Sequence, residues 1–158
     1  MRASTRFLLV ASLLVFPNAL LLASKPQQDK QPEPMGPARR GTVALALEVL
    51  TDTEGVDFND VVRSAYHAVR KACYENIPPS VEKGMQGTNT AEFRLMRNGT
   101  IAQDSIRLTV RSRKDELDTA SLRAVHEADQ FKIFPEKSSQ PYLQVRFIFY
   151  YNLKPPQR

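Results

Sequence analysis

The stretch "NTAEFRLMRNGTIAQDSIRLTVR" constrains the fold of this chain most, because two alternating runs meet there at Asn98-Gly99. Asn-Gly favours a two-residue type I′ hairpin, in which both central residues need positive φ. Such a turn pairs residues whose numbers sum to 197 and puts Phe93 and Leu95 on one face with Ile106, Leu108 and Val110. Glu92, Arg94, Gln103, Arg107 and Thr109 fall on the wetter face. Turn chemistry and hydrophobic pattern thus predict the same hairpin by independent routes.

Other periods flank it. "TVALALEVL" places Val43, Leu45, Leu47 and Val49 on one side, which predicts a strand, although its alanines would also tolerate a helix. From Asp57 the period becomes helical: Phe58, Val61, Val62, Ala65, Val69, Ala72 and Cys73 form a stripe, with Asp57 placed to cap and Asp60 in the first turn. Residues 76–87, with Pro78-Pro79 and two glycines, read as a loop. "DELDTASLRAVHEADQF" predicts a second helix, its apolar side carrying Leu117, Ala120, Ser121, Ala124, Val125 and Ala128. The last run, "YLQVRFIFYYN", alternates again: Leu143, Val145, Phe147, Phe149 and Tyr151 are apolar, while Gln144 and Arg146 interrupt the other face.

This order predicts an α+β two-layer sandwich: a mixed sheet of three to four strands, based on the antiparallel hairpin, with two helices on one face. A helix between the third and fourth strands implies a right-handed crossover. Those two strands are then parallel, and the last lies beside the hairpin's first strand or beside the N-terminal strand. A terminal strand at a sheet edge offers its backbone to another chain. Gln144, Val145, Arg146, Phe147, Ile148, Phe149 and Tyr150 are therefore the candidate partner-binding edge.

The beginning of the chain reads differently. Met1 to Arg6 carries two arginines, and residues 7–24 follow without a charge, the layout of a signal peptide or of a signal anchor facing the periplasm. Residues 25–41, with four prolines, read as a linker spanning on the order of 50 Å when extended. Residues 42–154 make up the expected domain. Of the net charge of +5, six Lys/Arg against two acids fall before residue 42, which leaves the domain almost neutral. That balance excludes nucleic acid as the expected partner.

Chemistry-bearing patterns are scarce. His67 and His126 lie on different helices without metal-ligand spacing, and no nucleophile elbow, phosphate loop or CxxC occurs. No catalytic residue, metal or cofactor is expected, and the chain reads as non-enzymatic. Asp115, Glu116 and Asp118 suit a helix N-terminus. Asn98-Gly99-Thr100 matches a glycosylation acceptor but is explained by the turn. Cys73, alone on an apolar helix face, reads as core. Arg94, Arg107 and Arg146 can share the wet sheet face and form a basic surface for an acidic partner.

Together, "AEFRLMRNGTIAQDSIRLTVRS", "LDTASLRAVHEADQFKIFP" and "YLQVRFIFYYN", preceded by "GVDF" and "VVRSAYHAVRKACYENIPPS", resemble the C-terminal domain of the TonB/TolA family of envelope proteins. The resemblance covers residues 55–153. Cys73 stands where the related branch has Trp, and "RSRKDELD" replaces a Ser-Ser-Gly loop. The resemblance implies an energy-transducer-like module that binds outer-membrane transporters by strand addition in transmembrane transport. The apolar leader lacks the histidine of transducing members, so an alternative stays open beside it: a periplasmic structural or adaptor domain, homodimeric or part of an envelope scaffold, without motor coupling.

Overall fold

The computed structural model describes residues 41–128 and 131–156. The chain divides into two compact units, Met1–Gln31 and Pro32–Arg158, and every described residue belongs to the second. The expected leader and the linker up to residue 40 lie outside the described residues. Among the described residues, no helix is long and apolar enough to cross a membrane.

Among the described residues, four strands and three α-helices follow one another. They are β1 (Val43–Val49), α1 (Asn59–Glu75), α2 (Pro79–Glu82), β2 (Gly87–Met96), β3 (Arg107–Val110), α3 (Asp115–Glu127) and β4 (Tyr142–Tyr151), with a 3-10 turn at Gln103–Ser105 before β3. The sheet order is β1-β4-β2-β3. This is the α+β architecture that the periodicities predict, with one correction: every neighbouring pair is antiparallel, so the sheet is not mixed. β3 and β4 do run in the same direction, as the crossover requires, but β2 lies between them. The last strand has both of the neighbours that were alternatives for it.

The core lies between the sheet and the helices. α1 contributes Val61, Ala65, Val69, Ala72 and Cys73, and α3 contributes Leu117, Ala124 and Val125. The sheet contributes Ala91, Phe93 and Leu95 from β2 and Leu143, Val145, Phe147, Phe149 and Tyr151 from β4, all buried. Phe93 stacks on Phe147 at 5.5 Å between centroids, and Phe147, Phe149 and Tyr151 continue a ladder of rings along β4. Each large buried side chain contributes about 1.5–3 kcal/mol of transfer free energy, so β4 is the heaviest single contributor to the core. Asp57 helps to start α1 by accepting the Asn59 N–H at 2.8 Å, although Phe58 occupies the cap position itself.

Two local readings need correction. The hairpin exists, but its turn is not type I′: Gly99 has φ +82° while Asn98 is not left-handed, and the Met96 N–H donates to Thr100 O at 2.7 Å around a three-residue loop. Asn98 Oδ1 accepts instead from the Thr100 N–H and hydroxyl, which holds Asn98 in an Asx turn. The 3-10 turn and a bulge at Thr90/Ala91 then shift the pairing to Ala91 with Leu108 and Thr90 with Val110. Leu108 keeps its core face, whereas Val110 is exposed. Residues 76–87 contain α2, which Pro79 starts from the first helical position, where the missing N–H costs nothing.

Candidate functional site

β4 is an interior strand, and this overturns the expected partner-binding edge. Its even residues pair with β1 and its odd residues with β2, so the backbone of Gln144 to Tyr150 is engaged on both sides. Val145, Phe147 and Phe149 are core residues, and Ile148 and Tyr150 are buried on the opposite face. Gln144 is half-buried, with its N–H donated to Thr51 Oγ1 at 2.7 Å. A last strand this apolar is stable in the middle of the sheet because neither of its edges is open.

The basic face also differs from its expectation. The structure does bring Arg94, Arg107 and Arg146 to one side of the sheet, but a buried carboxylate lies among them. Glu92 Oε2 is 2.8 Å from Arg107 Nη2, its Oε1 is 3.0 Å from Arg146 Nη2, and Arg146 Nη1 is 3.6 Å from Glu48. Arg94 lies over the Tyr142 ring at 5.0 Å. Two of the three arginines are therefore neutralised within the sheet, and the set works as cross-strand fastening from β1 to β3 rather than as an anion site. The alternating pattern shows these arginines but conceals Glu92, which reads as one more solvated strand residue.

Among the described residues, the open backbone lies at the two outer strands, which differ. β3 has four residues, follows the 3-10 turn, pairs across a bulge and leads into Arg111 and Arg113. Shortness, a bulge and flanking charge are the devices that close a sheet edge to other chains. β1 has seven residues and is neither short nor bulged: its pairing runs without a shift from Val43–Tyr151 to Val49–Val145, and Glu48 is its one charged residue. The Leu50 N–H donates to Gln144 O at 2.8 Å and the Asn152 N–H to Thr42 O at 2.9 Å, so the even residues of β1 face β4. The N–H and C=O groups of Val43, Leu45, Leu47 and Val49 consequently point away from the sheet.

α1 flanks this edge. The Tyr74 hydroxyl donates to Val43 O at 3.3 Å, which satisfies the first outward carbonyl. Arg70, one turn earlier on α1, lies over the Tyr74 ring at 5.6 Å, and half-buried Tyr66 precedes it by another turn. The outward groups of Leu45, Leu47 and Val49 thus form a straight ladder that begins next to the Val43 carbonyl held by Tyr74. Sequence reasoning missed this site because it placed the open edge on the last strand; the signal was present in the uninterrupted "VALALEV" run.

The remaining candidates resolve into structure. Cys73 is buried, and burial pushes its thiol up to about 12. His67 is exposed, and His126 Nδ1 is 2.6 Å from Gln103 Oε1. Among the described residues, no group of three His, Cys, Asp or Glu is placed to hold a metal. Asp115 and Glu116 are exposed in the first turn of α3, but Asp118 is buried. Its Oδ1 accepts from the Asn89 amide and the Ser112 N–H, both at 2.9 Å. Burial alone would raise the Asp118 pKa; these hydrogen bonds, with Arg111 nearby, outweigh it and hold the carboxyl below its ordinary value. Ser121 and Tyr151 extend this network beneath α3.

Comparison with protein families, with curated proteins and with solved structures found no match.

Proposed function

We propose that this chain is a non-enzymatic, exported envelope protein whose domain binds an extended segment of an outer-membrane transporter by strand addition, with β1 as the receiving strand. The observation that supports this reading is the regular seven-residue outer edge of β1, which carries no bulge or proline and whose Leu45, Leu47 and Val49 direct their backbone groups outward. Main-chain pairing along β1 supplies affinity, and Tyr74, bonded to the Val43 carbonyl, bounds the pairing at one end. The resemblance of the hairpin, α3 and β4 segments to the TonB/TolA family supplies the class of partner.

The test is a titration of the full chain with transporter N-terminal peptides, repeated with Leu47→Pro. That substitution removes an outward N–H without touching the pairing of β1 with β4. Saturable binding by the natural chain and its loss in Leu47→Pro is the expected result. Binding that Leu47→Pro leaves intact, or no binding by any such peptide, contradicts the proposal.

A further inference from the structure

We infer that the same edge accepts a second copy of this chain, with β1 pairing to the partner copy's β1 in antiparallel register about Leu47. The inference rests on the edge being open, as in the reading above, but uses its own complementarity. A two-fold axis at Leu47 sets Leu47 against its own counterpart and Leu45 against Val49 of the partner subunit, all of them outward-directed in β1. Each of these facing pairs exchanges two N–H···O bonds, about six in all.

Side chains agree with that register. Leu45, Leu47 and Val49 meet apolar counterparts on the helix side of the sheet. On the other side Glu48, the one charge of the strand, falls opposite Ala46 of the partner subunit, so no like charges face each other. A shift of the axis by one residue toward the C-terminus would still pair outward groups, Leu47 against Val49 of the partner subunit, but would put Glu48 against its own counterpart, a like-charge contact. The ladder also has a defined end. Tyr74 occupies the Val43 carbonyl, so pairing stops at Leu45 on one strand and at Val49 on the other. Such a dimer continues the sheet through both copies and covers the groups a transporter segment needs, so self-association and segment capture exclude each other.

Cysteine cross-linking reads the register directly. In a Cys73→Ser background, Leu47→Cys is expected to form a disulfide-linked dimer under mild oxidation. Leu45→Cys alone is not, because its counterpart lies four residues away across the axis. Combined with Leu47→Pro, sedimentation equilibrium of the full chain should show dimer affinity reduced by at least about tenfold. Equal cross-linking at positions 45 and 47, or a chain that stays monomeric up to about 1 mM, overturns the inference. If the monomeric chain still binds transporter peptides at β1, the dimer alone is refuted. If Leu47→Pro changes neither property, the edge itself is not a site.

Discussion

The two outer strands of this sheet face solvent under opposite conditions. β3 is short, bulged and fastened at both ends: by Gly99, which bonds to the 131–134 loop through Phe131 N–H at 3.0 Å, and by Asp118, which holds Ser112 just beyond the strand. Glu92 adds a bridge from Arg107 on β3 to Arg146 on β4. β1 is longer and regular, and only Val43 and Leu45 of its seven residues are buried. The contrast teaches that this fold closes one edge by geometry and charge while it leaves the other straight, which is how a sheet keeps one pairing surface without aggregating through both.

The largest expected effect comes from breaking β1 on the correct side. Ala46→Pro removes a donor from the β1–β4 ladder and should cost about 3 kcal/mol or more. Leu47→Pro, one residue on, loses only an outward donor and some packing and should cost about 1 kcal/mol. Urea unfolding of the two variants compares them; equal losses would mean that the parity of β1 is wrong.

The remaining tests loosen the closed edge. Gly99→Ala should cost about 2–3 kcal/mol, because a Cβ there meets Phe131 O at 2.5 Å and the φ is +82°. Faster amide exchange around the turn should accompany it. Glu92→Gln, read by thermal unfolding, should cost about 1–2 kcal/mol, discounted because the Arg107 side chain is 61 % exposed. Its exchange signature should appear in β3 and not in β1.

The smallest effect is a pH dependence. Since the folded Asp118 pKa is depressed, its contribution is fully present above the unfolded carboxyl value of 3.8 and is lost as pH falls through the folded value. Asp118→Asn should therefore flatten the acid limb of a stability–pH curve below about pH 4 and leave neutral pH dependence unchanged. An unaltered acid limb would mean that the Ser112 and Asn89 bonds do not hold the folded carboxylate.

Much of this arrangement was legible beforehand because one-dimensional periods report which side of an element is buried. The stripe from Val61 to Cys73, the alternation of Leu143 to Tyr151 and the existence of a hairpin at Gly99 all follow from such periods. Strand order does not, since the pairing of β1 with β4 joins segments about a hundred residues apart through backbone groups every sequence has. Asn152 shows how that pairing is secured: its Oδ1 accepts the Thr42 N–H and its Nδ2 donates to Val81 O and Met85 O, which ties β1, β4 and α2 together from one polar residue at the chain's end. The hairpin register was misread because Asn98 forms an Asx turn where the Asn-Gly pattern suggests positive φ. Ile148 and Tyr150 belong to the expected partner-binding edge, and their burial depends on tertiary surroundings that alternation does not encode.

Residue-resolved amide hydrogen exchange along β1, without and with a transporter peptide, tests the central claim most directly. Dilute chain alone should show protected Ala44, Ala46 and Glu48 amides and rapidly exchanging Leu45, Leu47 and Val49 amides. Peptide should protect the second set and leave the first unchanged. Protection of all six amides in dilute chain without peptide, or peptide-induced protection confined to β3, would contradict the account.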